Sequence, residues 1–96
     1  MSPLREANIK VLEELYDTLY EIKDLEPKID HYTSARHLCT MIEEARGNIE
    51  MPDDKLSRWV GYIQGVMAAR GYLNVNAERD RTRPIYNEAY RIIRDD

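Results

Sequence analysis

Apolar residues recur along most of the chain at steps of three and four, which is the period of one face of an α-helix. Four such stretches predict helices at about residues 3–25, 34–50, 54–70 and 77–94. No stretch shows the alternation of apolar and polar residues that is typical of a half-buried strand. The pattern therefore predicts an all-α fold, with one domain over residues 1–96.

Residues that favour helix ends flank these stretches. Ser2 can accept a hydrogen bond from a free N–H group at the start of the first helix, and Pro3 suits the first helical position. The first helix should end before Pro27, because the residue preceding a proline is pushed out of the α region. The residues expected to cap or end the later helices are Thr33 or Ser34, Asp53 or Asp54, and Gly71.

The second and third helices are predicted to form an antiparallel hairpin across the short turn at Pro52, with the other two helices flanking it. Pro84 lies in the path of the last helix, so residues 77–83 should form a separate turn or a segment kinked at the proline. Gly61 and Gly65 share one face of the third helix and indicate a close approach to its backbone. The approaching group could be another helix of the same chain, a second subunit or a ligand.

Length and composition limit the kind of protein this can be. A chain of 96 residues buries a modest fraction of its surface, so we expect a homo-oligomer. The net charge of −4 does not favour coating extended nucleic acid. One cysteine, no apolar run long enough for a membrane span and no apolar signal-peptide core predict a cytoplasmic protein.

Metal and catalytic motifs are weak in this sequence. His31 and His37 are six residues apart, which is not the spacing of a helical metal pair, and Cys39 should be a buried thiol. We therefore expect no cofactor, no metal and no enzymatic activity. One enzymatic alternative stays open, a Mg²⁺-dependent all-α nucleotide pyrophosphohydrolase. The acidic residues that could hold its metal are Glu14, Asp17, Glu21, Asp24, Glu43 and Glu44.

The richest candidate chemistry lies near residue 80. On a helix Arg79, Thr82, Arg83 and Tyr86 share one face, and two guanidinium groups four residues apart suit a phosphate between them. The alternative is internal ion pairing of these arginines with nearby carboxylates such as Glu78.

A second group of candidates could complete such a site. Arg58 offers another cation beside Trp59, whose ring could stack on a base. The chain also holds seven tyrosines and no phenylalanine. Tyrosine suits half-buried interfaces and base stacking better than dry cores.

Residues 55–86 carry a distinctive pattern: an Arg-Trp-Val-Gly-Tyr-Ile-Gln-Gly helix, a turn at Gly71, and Glu-Arg-Asp-Arg-Thr-Arg-Pro. This block resembles small phage helical-hairpin proteins, which are in turn similar to the anti-CBASS and anti-Thoeris sponges that capture cyclic nucleotide immune signals. The resemblance implies an oligomer with ligand pockets between subunits. It also implies that Arg79, Thr82 and Arg83 hold phosphate, with Tyr16 or Tyr20 and Lys28 as the early ligand-binding group.

The predicted function is therefore that of a phage anti-defence protein in the host bacterial cytoplasm. It would bind and sequester a cyclic oligonucleotide or related nucleotide signal without cleaving it. The predicted ligand-binding residues are Arg79, Thr82, Arg83, Tyr86, Arg58, Trp59, Tyr16 and Lys28. A phage inhibitor that binds a host protein through a helical or oligomeric face is the other binding alternative.

Overall fold

Four α-helices make up most of the structure, a computed structural model that describes residues 2–95. They are α1 (Pro3–Ile22), α2 (Ala35–Gly47), α3 (Asp53–Ala69) and α4 (Val75–Asp95), with a short 3-10 turn at His31–Thr33 before α2. Residues 2–95 contain no strand, and none of their helices has the length and apolarity needed to cross a bilayer. The predicted all-α class is confirmed.

The helix α1 lies at the centre of the fold, because each of the other three helices packs more extensively against it than against any other helix. The Arg5 side chain, near the start of α1, reaches the end of α2, so these helices run antiparallel. The Ser2 hydroxyl donates to the Asp53 carboxylate at 2.8 Å, which places the start of α3 beside the start of α1. The helices α2 and α3 are therefore antiparallel, as predicted, but α1 rather than their mutual contact holds them together.

A dry core lies between α1, α2 and α3, formed by the apolar stripes that the sequence pattern predicts. Burying one such aliphatic side chain stabilises the fold by about 1.5–3 kcal/mol. The buried members are Val11, Leu12, Leu15, Leu19, Ala35, Leu38, Cys39, Ile42, Ala45, Met51, Leu56, Val60, Ile63 and Met67. The helix α4 is different, since Ala89 and Thr82 are its only buried residues up to Asp95. Ile93, near the end of this helix, is exposed.

A buried arginine joins the start of α1 to the segment between α2 and α3. The Arg5 guanidinium donates to the carbonyl oxygens of Ala45, Asn48 and Met51 at 3.3, 2.6 and 3.1 Å. These carbonyls lie at and just beyond the C-terminus of α2, where the helix dipole favours a positive charge. Arg5 therefore satisfies acceptors that the helix itself leaves free.

Most of the predicted helix caps are confirmed. The Ser2 and Ser34 hydroxyls accept backbone N–H bonds at the starts of α1 and α2. Gly71 follows α3 with a positive φ of 77°, a conformation that favours glycine. The predicted aspartate cap of α3 is wrong: Pro52 occupies the capping position without a side-chain bond, and Asp53 lies inside the first turn.

Two predicted helix ends are also wrong. The helix α1 stops at Ile22 rather than residue 25, because the chain closes a turn in which the Leu25 N–H donates to the Ile22 carbonyl. The helix α2 stops at Gly47 rather than residue 50, because Asn48 leaves the helical conformation and its carbonyl accepts from Arg5. Ile49, which lies within the predicted helix, is consequently outside α2 and exposed.

The last helix is longer than predicted and continuous. It begins at Val75, where the Asn74 side chain accepts the Ala77 N–H at 3.0 Å. It then runs through Pro84 without a separate turn. Pro84 is exposed, so water can serve the carbonyl that the missing N–H leaves without a donor.

Candidate functional site

An open groove separates α3 from α4, because both helices pack on α1 but make little contact with each other. It contains two cavities of about 300 and 290 Å³. The Gln64 side chain of α3 lies between them and lines both. The groove is thus an elongated, two-lobed surface rather than one closed pocket.

The wall that α3 gives to this groove is made of small residues. Gly61 lines one cavity, Gly65 and Ala68 line the other, and both glycines are exposed. A Cβ atom built on either glycine would meet no atom within 4 Å. Close packing by another helix of the same chain, one of the three predicted explanations, is therefore wrong, and the other two stay open.

A polar network crosses the groove at its centre. The Gln64 side-chain amide donates to the Glu78 carboxylate at 2.9 Å, which joins α3 to α4. Arg81 donates to the same carboxylate at 2.8 and 2.9 Å and also makes a salt bridge with Glu14 of α1. Burial lowers the pKa of the Arg81 guanidinium from its ordinary value. Arg81 is therefore the structural arginine of this segment.

The two predicted phosphate-binding arginines have a different environment from Arg81. Arg79 lines one cavity of the groove, and Arg83 is exposed one helical turn further along α4. Among residues 2–95 neither guanidinium lies within salt-bridge distance of a carboxylate. The internal ion pairing considered for the segment is made by Arg81, which leaves Arg79 and Arg83 available to an anion.

Thr82 and Tyr86 lie on the same side of α4, but their polar atoms are engaged within the chain. The Thr82 hydroxyl donates to the Glu78 carbonyl at 2.9 Å. The Tyr86 hydroxyl donates to the Asn8 side chain at 2.6 Å, and burial raises the Tyr86 pKa to about 12. Both residues line the groove. They therefore shape its wall and fix its width.

Arg58 and Trp59 lie apart from the groove. Both line a separate cavity of about 410 Å³ between the 3-10 turn, α2 and α3, together with Tyr32, His37, Met41 and Tyr62. Arg58 also makes an exposed salt bridge with Asp54 at 3.2 Å. The candidate residues on α3 and α4 thus form two sites rather than one.

The early candidates, Tyr16 and Lys28, line neither α3–α4 cavity. The Tyr16 hydroxyl donates to the Glu43 carboxylate at 2.8 Å, and this hydrogen bond raises the Tyr16 pKa above its ordinary value. Lys28 lies in the exposed connector before the 3-10 turn. Within one subunit, neither side chain joins Arg79 and Arg83.

The acidic residues considered as magnesium ligands are dispersed. Glu14 pairs with Arg81, Asp24 with Lys23 and Arg36, and Glu43 with Tyr16. Across residues 2–95, no three His, Cys, Asp or Glu side chains are close enough together to hold a metal ion. The hydrolase alternative gains no support from this placement.

Sequence reasoning missed the polar network of three side chains at the groove. Gln64 and Glu78 line the groove, and Arg81 binds Glu78. The spacing of Glu78 and Arg81 by three residues was a usable signal, because such pairs meet on a helix. Nothing local could identify Gln64, since its partner comes from another helix.

Comparison of the chain with protein-family models, curated proteins and solved structures gave no significant match. The resemblance to phage sponge proteins therefore remains a prediction.

Proposed function

We propose that the protein binds a nucleotide-like anion in the α3–α4 groove and sequesters it without cleaving it. The ligand class is a cyclic oligonucleotide or related cyclic nucleotide signal, as the resemblance to phage sponges implies. The biological role would be that of a phage anti-defence protein in the bacterial cytoplasm. The proposal concerns binding only, because sequestration requires affinity and no catalytic group.

One observation carries this proposal: Arg79 lines the open groove, Arg83 is exposed one turn further along α4, and neither has a carboxylate partner among residues 2–95. Two like charges at this spacing repel each other unless an anion lies between them. A guanidinium group matches the geometry of a phosphate and can bind it through two parallel hydrogen bonds. Arg81, located between them in sequence, forms salt bridges with Glu14 and Glu78 instead.

The shape of the groove supports a ligand with two parts. Its two cavities meet at Gln64, whose amide could turn from Glu78 to a ligand. The exposed glycines let a flat group approach the α3 backbone closely, and Tyr86 and Tyr90 offer ring surface in the second cavity. A cyclic dinucleotide, with two bases and two phosphates, fits this division.

A separate cavity, outside the α3–α4 groove, fits an anion less well. It has a volume of about 420 Å³ and lies between α1 and α4. The carboxylates of Glu6 and Glu88 line it, against the single cation of Lys10. We therefore place the nucleotide in the α3–α4 groove.

The proposal is tested by a thermal-shift screen of the purified protein against cyclic di- and trinucleotides and cyclic ADP-ribose isomers. A ligand at about 100 times its dissociation constant should stabilise the native state by about 2.7 kcal/mol, several degrees for a domain of this size. Denaturing the complex should release the ligand intact. Recovery of a hydrolysed ligand would contradict sequestration.

Matched arginine variants locate the site. Arg79→Ala with Arg83→Ala should weaken binding on the order of 100-fold while helical circular dichroism is retained, because each arginine contributes charged hydrogen bonds. Arg91→Ala is the control, since Arg91 lies on the same helix but is paired with Glu88 and Asp95. Equal losses in both variants would indicate a nonspecific charge effect.

A second candidate function, inhibition of a host protein, is favoured by the glycine face of the groove. Gly61 and Gly65 would let a helix of a partner, or of a second copy in a homo-oligomer, pack closely against α3. This candidate predicts a stoichiometric protein complex that forms in the absence of nucleotide. Light scattering of the purified protein, with and without the ligand, separates self-association from ligand-dependent assembly.

A further inference from the structure

A cluster of rings lies at the junction of the 3-10 turn and α2, on the side of α3 away from the groove. The His31 ring centroid is 5.2 Å from that of Tyr32 and 5.0 Å from that of His37. Tyr32 and His37 are themselves edge-to-face at 5.4 Å. Rings at these separations stabilise each other beyond simple burial, so the cluster is an organised surface.

Residues of α3 complete this surface as a cleft. The Tyr62 hydroxyl donates to the Tyr32 carbonyl at 2.6 Å, which fixes the Tyr62 ring opposite the cluster. Trp59 is half-buried one turn earlier, and Met41 of α2 also lines the cavity of about 410 Å³. Although Tyr32 and Tyr62 are held in place, they are 66% and 42% exposed. Both tyrosines therefore keep a large part of their surface accessible to solvent.

The charges around this cleft decide which ligand suits it. The Lys55 ammonium lies 5.4 Å from the centre of the Trp59 ring, and Arg58 lines the cavity. A cage for a quaternary ammonium group also uses several aromatic rings, but two cations at its rim would repel such a ligand. The Asp54 carboxylate that faces Arg58 is exposed, so the pair is weak and a stronger anion can replace it.

We propose that this cleft is a second ligand site, which takes a planar heteroaromatic ring carrying a phosphate, that is, a nucleoside monophosphate or the equivalent part of a larger nucleotide. The base would lie among the Trp59, Tyr62 and Tyr32 rings that line the cleft, and the phosphate would bind Arg58. This site stands on its own contacts and does not depend on the α3–α4 groove.

Trp59 makes the proposal directly measurable, because it is the only tryptophan of the chain. Titration with adenosine 5′-monophosphate should quench its fluorescence and saturate at millimolar concentration or below. Adenosine should quench more weakly, since it lacks the phosphate, and inorganic phosphate alone should leave the emission unchanged. Tetramethylammonium chloride serves as the probe for a cation cage.

Three variants divide the site into its parts. Tyr62→Ala should weaken adenosine monophosphate binding about tenfold by removing a stacking surface. Arg58→Ala should reduce the affinity for the monophosphate to that for adenosine. The control is Tyr20→Ala, which removes another exposed tyrosine from α1, outside the cleft. Arg79→Ala with Arg83→Ala should leave this titration unchanged, which separates this site from the groove.

Several results would overturn the proposal. Quenching that stays linear, without saturation, would mean collisional contact only. Tighter binding of tetramethylammonium than of the monophosphate would make the cleft a cation site. An unchanged affinity in Tyr62→Ala, with circular dichroism showing a folded protein, would place the nucleotide elsewhere.

Discussion

The two sides of α1 differ in how the neighbouring helices pack. Toward α2, the chain places fully buried aliphatic residues such as Leu38 and Ile42 against α1. Toward the α3–α4 groove it places polar side chains, among them Gln64 and Glu78, and two glycines at which an added Cβ would meet no atom. The first side determines stability and the second leaves surface open, so we expect substitutions on the two sides to have opposite consequences.

The largest expected difference is between two isoleucines. Ile42→Ala should lower the free energy of unfolding by about 2–5 kcal/mol, because it empties a fully buried position against α1. Ile85→Ala, on the half-buried face of α4, should lower it by about 1 kcal/mol. Urea denaturation of both variants measures the difference. Equal losses would show that α4 belongs to the same tightly packed core.

The next effect concerns Arg5. Arg5→Ala should lower the free energy of unfolding by about 3 kcal/mol, because it leaves the Ala45 and Met51 carbonyls without a donor and leaves the Asn48 carbonyl with the Met51 N–H alone. Arg46→Ala is the control, since Arg46 is exposed on the same end of α2. A loss no greater than that of the control would mean that water replaces the guanidinium.

A smaller effect should follow pH. Burial, and then the charge of the neighbouring His31, lower the pKa of His37 below its ordinary 6.5. The unfolded chain therefore binds a proton at His37 more readily than the folded protein does. The contribution of His37 to the free energy of unfolding is present above about pH 6.5 and is lost as the pH falls through the folded-state pKa.

His37→Gln removes that titrating group. Between about pH 7 and pH 5, the unfolding free energy of the variant should depend less on pH than that of the wild type. The carboxylates of Asp24 and Glu88, whose pKa values are lowered, lose their contribution only at more acidic pH. An unchanged slope would show that His37 is not shielded from solvent.

Periodicity and caps were sufficient to predict the four helices, because apolar spacing and residues such as Ser34 and Gly71 act locally. The ends of α1 and α2 were missed because tertiary contacts set one of them: Arg5 binds the Asn48 carbonyl beyond α2. The central position of α1 was also missed, since a stripe shows which face is buried but not which helix covers it.

The candidate sites, like the fold, were predictable only as far as local helix geometry determines them. The helical phase placed Arg79 and Thr82 together, and both line the groove. It could not show that Trp59 lies in a different cavity, because that depends on how the 3-10 turn folds against α3. The contact between His31 and His37 was likewise invisible in their six-residue separation, since that turn lies between them.

The central claim is that the α3–α4 groove is kept open for binding at a cost in stability. The most direct test is to measure unfolding and cyclic dinucleotide binding in Gly61→Ala with Gly65→Ala. The account predicts that the free energy of unfolding rises by about 1–2 kcal/mol, because alanine favours the helix and its methyl group meets nothing. It also predicts that ligand affinity falls about tenfold, because the methyl groups fill the groove. A less stable variant, or one that binds the ligand as well as the wild type, would contradict it.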